Sequence, residues 1–328
     1  MKIVRLLPVF GKIIFQFPFF PVLNIVSISG GKDSAATLLL ALEQKVPNLM
    51  GVFADTGNEN QITYEYVKYL EQKTGVPILW LKADFSYQIE RKRQRLFKII
   101  RGVEDKDNRF KWTRKAAKRA LKHTHVTGNP FLDLCIWKGR FPSTKARFCS
   151  TDLKREVILY QLQFPLIEQG FKVISWQGVR ADESEERSKL SVSEYIGNGV
   201  TNYRPILHWS ALECFDMHFK YGVEPNSLYK QGMGRVGCMP CIHCRKDELR
   251  AIADRFPEEI DRIEKWERMV SAASRLGSST FFHSDNRGHG IRALVEWSKT
   301  ERGGKQYSLI AMAEEGNTSC SSIYGLCE

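Results

Sequence analysis

The stretch Ile25-Val26-Ser27-Ile28-Ser29-Gly30-Gly31-Lys32-Asp33-Ser34 decides the fold of this chain. It begins as a short apolar strand, passes through two glycines and continues into an apolar, helix-forming run, residues 35–42. A strand, a glycine-rich turn and a helix N-terminus together form an anion site, because glycines let the backbone approach a phosphate and the helix dipole favours negative charge. The stretch therefore predicts a loop that binds a polyphosphate.

The side chains of this loop refine the prediction. Lys32 supplies a mobile cation, and Ser29 and Ser34 supply hydroxyl donors. Asp33 is unfavourable beside an anion unless a metal is present, and a carboxylate next to a triphosphate is a natural partner for Mg²⁺. The spacing of a Walker A loop is missing. The alternative, a plain glycine turn, does not explain Lys-Asp-Ser in sequence.

Composition limits the class of protein. The chain has 328 residues, 43% of them hydrophobic, with a net charge of +12 and a pI near 9.3. These values are typical of a folded globular protein with an anionic partner. Eight cysteines are too few for a disulfide scaffold of this length. Their clustering indicates metal or redox chemistry in a reducing compartment.

Apolar strands alternate with helices along the first two thirds of the chain. Strands are predicted at 25–29, 50–54, 77–81 and 172–177, and helices at 34–44, 61–74 and 257–276. This alternation predicts an α/β fold with a doubly wound, mostly parallel sheet. Ligands in such folds lie beyond the carboxyl ends of the strands. We therefore expect the Ser29–Ser34 loop and the Asp55–Glu59 turn to face one crevice.

Three regions are predicted along the chain. Residues 1–22 form an N-terminal extension that three prolines interrupt, which argues against a signal peptide or membrane span and for a cytoplasmic protein. Residues 23–210 form the nucleotide-binding α/β domain. Residues 211–328 form a smaller, irregular helical region with a cysteine cluster and a tail.

A basic insertion interrupts the α/β domain at residues 91–122. Its cations include Arg91, Lys92, Arg93, Arg95, Lys98, Arg101, Arg109, Lys111, Arg114, Lys115, Lys118, Arg119 and Lys122. Phe97, Phe110 and Trp112 are interleaved with them. Helical spacing would place many of these cations on one face, as in a surface that contacts a nucleic-acid backbone. The alternative is a solvated, charge-rich insertion.

Three cysteines follow one another at two-residue separations in Cys238-Met239-Pro240-Cys241-Ile242-His243-Cys244. This spacing is typical of thiols that converge on one ion or iron–sulfur cluster. We predict Cys149 as the fourth ligand, with zinc as the alternative occupant. Cys135 and Cys214 are interpreted as packing residues in apolar surroundings. Cys320 and Cys327 are interpreted either as thiols of a reactive tail or as simple exposed thiols.

A second polar motif, Gln177-Gly178-Val179-Arg180-Ala181-Asp182-Glu183-Ser184, follows a predicted strand, with Arg187 three residues further on. Arg180 and Arg187 are candidates for binding phosphate or sulfate through charge-assisted hydrogen bonds. The alternative is the start of a surface helix with charge pairs four residues apart.

Together these motifs resemble the sulfonucleotide reductase-like branch of the PP-loop ATP pyrophosphatase superfamily, from about residue 25 to residue 244. The resemblance includes the PP-loop, residues 29–34, and the Asp55-Thr56-Gly57-x-Glu59 turn. It continues through Arg147-x-Cys149-Ser150-x-x-Leu153-Lys154, Gly178-x-Arg180 with Arg187, Arg204-Pro205-Ile206-x-x-Trp209, and Pro225-x-x-x-Leu228-Tyr229-x-x-Gly232. It ends at Gly237-Cys238-x-x-Cys241.

The resemblance implies an adenine-nucleotide site, with a cysteine-bound 4Fe-4S cluster close to it. The implied nucleotide-binding residues are Ser29, Gly30, Gly31, Lys32, Asp33, Ser34, Asp55, Thr56, Gly57, Gly178, Arg180 and Arg187. The implied cluster ligands are Cys149, Cys238, Cys241 and Cys244. Reductases of this family have a degenerate PP-loop and a catalytic cysteine in a C-terminal motif that Cys327 matches only loosely. An intact Lys32-Asp33 pair instead suits ATP with Mg²⁺.

Three functions follow from these features. The first is an ATP-cleaving enzyme of sulfur transfer or nucleic-acid modification, with Lys32, Asp33 and Arg180 as catalytic residues and a separate sulfur donor. The second is a reductase of adenylyl sulfate or its 3′-phosphorylated form, with Cys327 as the nucleophile and thioredoxin as the reductant. The third is a non-catalytic nucleotide-binding accessory protein of a mobile-element or defence complex.

Overall fold

A computed structural model describes residues 22–103, 111–282 and 290–300, together with the backbone of two short strands near the N-terminus. Those strands, β1 (Leu6–Val9) and β2 (Lys12–Phe15), pair in antiparallel fashion. The rest of the predicted N-terminal extension, residues 104–110 of the basic insertion, and Cys320 and Cys327 lie outside the described residues.

A six-stranded sheet forms the centre of the α/β region. Its strands are β3 (Val22–Ile28), β4 (Leu49–Asp55), β5 (Ile78–Lys82), β6 (Lys172–Trp176), β7 (Ser193–Gly197) and β8 (Val200–Tyr203). Their order is β5-β4-β3-β6-β8-β7. The β3–β4, β3–β6 and β6–β8 pairs are parallel, whereas β7 is an antiparallel edge strand. The predicted α/β fold with a mostly parallel sheet is confirmed.

Thirteen α-helices are formed by the described residues. They are α1 (Lys32–Glu43), α2 (Gln61–Thr74), α3 (Ser86–Arg101), α4 (Arg114–His123), α5 (Pro130–Lys138), α6 (Phe148–Ser150), α7 (Glu156–Ile158), α8 (Phe164–Glu168), α9 (Glu185–Ser188), α10 (Ala211–Lys220), α11 (Lys246–Arg255), α12 (Pro257–Ala273) and α13 (Gly290–Ser298). Two π-helical turns, Thr151–Arg155 and Leu159–Gln163, continue α6 and α7, and a 3₁₀ turn covers Ala181–Glu183.

The chain divides into two compact units whose segments alternate along the sequence. The first comprises residues 1–54, 61–81 and 158–227, and the second comprises 55–60, 82–157 and 228–328. The first unit contains the sheet with α1, α2 and α10. The second contains the basic insertion and the Cys238–Cys244 segment. The domain boundaries predicted at residues 22 and 210 stay a prediction.

Each unit has a core of its own. In the first, β3, α1 and α2 bury aliphatic side chains such as Val26, Leu38 and Val67 away from water. In the second, α5 and α12 pack together through aromatic rings, with Phe131 stacked on Trp266 at 5.6 Å between centroids. Burial of such apolar surface is the main favourable contribution to folding. Within the described residues, no helix is both long and apolar enough to cross a membrane.

The basic insertion forms α3 and α4, and four of its cations bind helix carbonyls. Lys92 Nζ donates to the carbonyls of Ile136 (2.6 Å) and Ala273 (2.9 Å), at the ends of α5 and α12. The other three cations also donate to backbone carbonyls at or near helix ends: Arg93 to those of Leu121 and Thr124, Arg114 to that of Ile100, and Arg119 to those of Ala272, Ser274 and Arg275. Cations at helix C-termini satisfy the unpaired carbonyls and offset the helix dipole.

We expect Lys92→Met to lower the free energy of unfolding by about 1–3 kcal/mol, because it leaves two carbonyls without their charged donor. Lys98→Met is the matched control, since it removes an equal charge from an exposed position on the same helix and should change stability by less than about 0.5 kcal/mol. Denaturant unfolding of both variants measures the difference. Equal effects would show that Lys92 contributes only its charge.

Candidate functional site

The Ser29–Ser34 loop joins β3 to α1 as the sequence predicts. Gly30 has a φ of +78°, a left-handed conformation that favours glycine, and a Cβ there would lie 2.5 Å from Thr63 Cγ2. Ser34 Oγ accepts a hydrogen bond from the Ser29 amide at 3.1 Å, which closes the turn. Gly31 is the N-cap of α1 and supplies no side-chain cap to the first helical amides.

Four consecutive carbonyls of this loop accept hydrogen bonds from side chains. The donors are Asn226 to Gly30 (3.1 Å), Ser34 to Gly31 (2.9 Å), His218 to Lys32 (3.1 Å) and Thr37 to Asp33 (2.8 Å). In a trans peptide the next N–H points opposite to the carbonyl. The amides of residues 31–34 therefore point away from these donors, which is the arrangement that binds a phosphate at a helix N-terminus.

The charges of the loop form a compact network around Asp33. Its Oδ1 accepts from Arg180 Nε at 2.7 Å, and its Oδ2 lies 3.2 Å from Lys32 Nζ. Lys32 and Arg180 are each only 5% exposed. Arg180 also pairs with Asp182 and donates to the Trp209 carbonyl at 3.5 Å. The three predicted catalytic residues of this unit are thus in direct contact.

Gly178 lies directly against the loop backbone. A Cβ at this position would stand 2.8 Å from the carbonyl carbon and oxygen of Asp33 and from the amide nitrogen of Ser34. Because backbone atoms cannot move aside as a flexible side chain does, only glycine fits. Arg187, by contrast, is partly exposed and pairs with Glu183, four residues earlier, in the way that the alternative interpretation of this motif described.

Helix α10 contributes two residues that the sequence interpretation did not assign to the site. Cys214 is buried among apolar side chains, but it is more than a packing residue, because the Asp33 carboxylate is near enough to act electrostatically on its thiol. Burial raises the pKa of Cys214, and the charge of Asp33 raises it further, so the thiol stays protonated. His218 lies one turn further along α10, on the same face. That spacing is the only sequence signal linking the two.

His218 is fully buried, and its neighbours define its tautomer. Because the Lys32 carbonyl can only accept, Nε2 carries the proton, and Nδ1 faces the Tyr66 hydroxyl at 3.5 Å. Burial lowers the pKa of His218; hydrogen bonds with the Lys32 and Val223 backbone and the charge of Asp33 act in the opposite direction. The imidazole is therefore neutral at pH 7.

The Asp55–Asn60 turn is held by its own side chains. Asp55 Oδ1 accepts from the Gly57 amide at 2.8 Å, and Thr56 Oγ1 donates to Glu59 Oε1 at 2.7 Å. Gly57 has a φ of +76°, and its carbonyl accepts from Asn129 Nδ2 at 2.7 Å. This turn belongs to the second unit and the PP-loop to the first. That both face one crevice stays a prediction.

The four predicted cluster ligands share one neighbourhood in the second unit. Cys241 acts electrostatically on Cys149, Cys238 and Cys244 and raises the pKa of each, although burial is the larger cause. The ammonium of Lys154 lowers the pKa of Cys149 and Cys238. Cys244 instead has Glu248 beside it, which raises its pKa.

No three His, Cys, Asp or Glu side chains in the described segments stand close enough together to hold a metal ion. Thiols are the donors that iron–sulfur clusters and zinc take, but these four cysteines do not converge on one position in the described structure. Glu59, which the sequence interpretation placed only in the turn, is also a neighbour of this group. Its Oε1 accepts from Cys238 Sγ at 3.6 Å.

We expect acid to destabilise the protein through His218. Because its folded pKa is depressed, the unfolded chain binds more protons below the ordinary value of about 6.5, so stability is lost as pH falls through that value. At pH 5.5 the loss is at most about 1.4 kcal/mol. His218→Gln keeps an N–H donor but does not titrate, so its unfolding free energy should fall less between pH 7.5 and 5.5.

The exposed His208, varied to Gln in the same way, is the control and should leave the pH dependence of the wild type unchanged. Denaturant unfolding at the two pH values measures all three proteins. If wild type and His218→Gln show equal pH dependence, His218 accepts a proton as readily in the folded protein as in the unfolded chain, which would contradict this prediction.

Comparisons with known proteins place the chain in a family. The profile of the phosphoadenosine phosphosulfate reductase domain matches residues 24–244. An uncharacterized 37.8 kDa protein from Escherichia phage 186 is 47% identical over 326 residues, covering 93% of this chain and 97% of the phage protein. The adenosine 5′-phosphosulfate reductase of Neisseria meningitidis serogroup A is 33% identical over 118 residues, covering 35% of this chain and 47% of the reductase.

Among solved structures, the phosphoadenylyl-sulfate reductase of Candida auris aligns with 68% of this chain and 84% of its own, at 16% identity and a TM-score of 0.40. Because the matched profile spans more than half of the sequence, the chain belongs to the phosphoadenosine phosphosulfate reductase domain family.

Proposed function

We propose that this protein binds ATP at the PP-loop and cleaves it between the α- and β-phosphates, in support of sulfur transfer or nucleic-acid modification. The observation that carries the proposal is the row of four loop carbonyls held by side chains, beside the intact Lys32-Asp33 pair. Backbone amides at a helix N-terminus with a cation beside them suit a ligand that carries phosphate groups.

In the proposed reaction an oxygen of the acceptor attacks the α-phosphorus of ATP, the bond to the bridging oxygen of the β-phosphate breaks, and pyrophosphate leaves. A sulfur nucleophile then displaces AMP from the acceptor. Lys32 and Arg180 stabilise the charge that develops on the phosphates, the largest contribution in such transfers. Asp33 is the ligand for Mg²⁺, since a carboxylate with two bonded cations still has lone pairs to offer.

The remaining predicted residues take supporting roles in this proposal. Gly178 gives the loop room, Arg187 is a second contact for phosphate or sulfate, and Asp55, Thr56 and Gly57 contact the nucleotide. Cys149, Cys238, Cys241 and Cys244 hold the 4Fe-4S cluster, with zinc as the alternative. When bound, a cluster at these thiols would hold sulfur or order the segment around it.

A second candidate function is reduction of adenylyl sulfate or its 3′-phosphorylated form. The partial match to the Neisseria reductase favours it. Here the Cys327 thiolate attacks the sulfur, the sulfur–oxygen bond to the nucleotide breaks, and a sulfonated cysteine remains. A dithiol such as thioredoxin then releases sulfite and becomes a disulfide. The phage relative favours the third function, an accessory protein of a mobile element.

We expect the purified protein to release pyrophosphate from ATP when Mg²⁺ and nucleic acid are both present. Lys32→Ala and Asp33→Asn should each reduce this rate by about 10²–10³-fold, because each removes a charge aligned with the reacting phosphates. Lys68→Ala, at an exposed site on α2, is the control and should leave the rate unchanged. A coupled pyrophosphate assay measures all four proteins.

Two outcomes would contradict the proposal. Sulfite production from adenylyl sulfate that disappears on truncation before Cys320, without pyrophosphate release from ATP, would establish the reductase instead. Tight ATP binding with neither product, unchanged in Asp33→Asn, would establish the accessory protein.

We expect anaerobically purified protein to contain about four irons per chain. Cys241→Ser should remove most of this iron, because Cys241 is the thiol that neighbours the other three. Cys135→Ala is the matched control, since Cys135 is a buried thiol outside the proposed ligand set, and it should retain the iron. Elemental analysis and the absorption spectrum measure the content. Stoichiometric zinc in place of iron would identify the alternative occupant.

A further inference from the structure

The positive charge of this protein is concentrated in one segment. Residues 91–122 contain 14 of the 49 lysines and arginines but only 3 of the 37 aspartates and glutamates. The segment therefore carries +11 of the net charge of +12, and the rest of the chain is almost neutral. A general requirement for solubility would not collect the charge in this way. Concentrated charge of one sign indicates a polyanionic partner.

The structure separates the cations that stabilise the fold from those that remain on the surface. Lys92, Arg93, Arg114 and Arg119 donate to helix-end carbonyls, as described above. Four lysines on α3 and α4 are exposed instead: Lys98, Lys115, Lys118 and Lys122. Lys115, Lys118 and Lys122 follow one another at intervals of three and four, so they lie along one side of α4.

A groove of about 590 Å³ lies between these two helices. Its apolar lining is Phe97, Ile100 and Leu121, and its basic lining is Lys118, Arg119, Lys122 and His123. Phe97 is 45% exposed, and the guanidinium of Arg101 lies 4.3 Å from the centre of its ring. The volume is in the range of pockets that hold drug-sized ligands, and a nucleotide is of that size.

We propose that this α3–α4 groove binds single-stranded nucleic acid, with a base against Phe97 and the flanking phosphates on Lys118 and Lys122. Proteins that bind unpaired strands combine an exposed aromatic ring, on which a base stacks, with a row of cations for the phosphates, and this groove has both beside an apolar floor. A duplex presents phosphates but no free base face, so it would leave the apolar floor uncovered. The inference deepens the proposed function by naming its macromolecular partner, but binding requires no ATP.

The test is fluorescence anisotropy with a labelled single-stranded oligonucleotide of 20 residues, as RNA and as DNA, across a salt series. We expect Lys118→Gln with Lys122→Gln to weaken binding at least tenfold and to reduce the slope of log K against log salt by about 1.4. The matched control, Lys68→Gln with Lys73→Gln, removes an equal charge from exposed sites on α2 and should change affinity less than twofold.

The aromatic contact has its own pair of variants. Phe97→Ala should weaken strand binding about fivefold or more, because it removes a stacking surface. Tyr87→Ala, on the same helix and 70% exposed, lies outside the groove and should have less than a twofold effect. Thermal unfolding of every variant confirms that the fold is intact.

Three results would overturn the inference: no binding of either strand at low salt, equal losses in the two double-lysine variants, or a matched duplex that binds as tightly and is unaffected by Phe97→Ala. Lys32→Ala distinguishes the two proposals, because it should reduce pyrophosphate release by about 10²–10³-fold and leave strand binding unchanged. Strand binding without pyrophosphate release would overturn the proposed function alone.

Discussion

The hydrogen bonds that hold the PP-loop carbonyls are the interaction on which the rest of the first unit depends. Two of the four donors, His218 and Asn226, lie more than 180 residues away in the sequence. A glycine-rich loop without such donors would sample many conformations, because glycine restricts the backbone least. With them, the orientation of the amides is set before any ligand arrives. Because the loop is already ordered, an anion that binds there loses little binding free energy to ordering it.

The same principle operates in the second unit, where the acceptors are helix ends and the donors are cations. Placing a cation at such a buried position disfavours its charged form: burial lowers the pKa of Lys92 to about 8. At that pKa the ammonium is still mostly charged at neutral pH, and two carbonyls accept its hydrogen bonds. Part of the basic insertion is therefore explained by packing. This division gives the exposed lysines their significance, because none of them donates to a helix-end carbonyl within the described residues.

The fold could be predicted from local sequence, and much of the site could not. Strand and helix periodicity located β4 and α2 to within one residue and β3 to within three, because each buries a regular apolar pattern. The direct hydrogen bond between Asp33 and Arg180 could not be predicted from local sequence, since the two residues are 147 positions apart and only the folded chain brings them into contact. Cys214 was taken as a packing residue because its sequence neighbours are apolar, whereas its carboxylate neighbour is set by tertiary structure.

The Asp55–Asn60 turn and the Cys238–Cys241 segment look like separate motifs in sequence, but they form one structural element. Glu59 and Cys238 form a β-bridge, the Met239 amide donates to the Asn58 carbonyl at 2.8 Å, and Asn58 Nδ2 donates to the Pro240 carbonyl at 3.0 Å. Arg262 adds a donor to both segments, at the Gly57 and Met239 carbonyls. Since the backbone of the turn is bonded to the backbone beside the thiols, neither can shift without breaking these hydrogen bonds. Any ion or cluster that draws the cysteines together therefore acts on the turn directly.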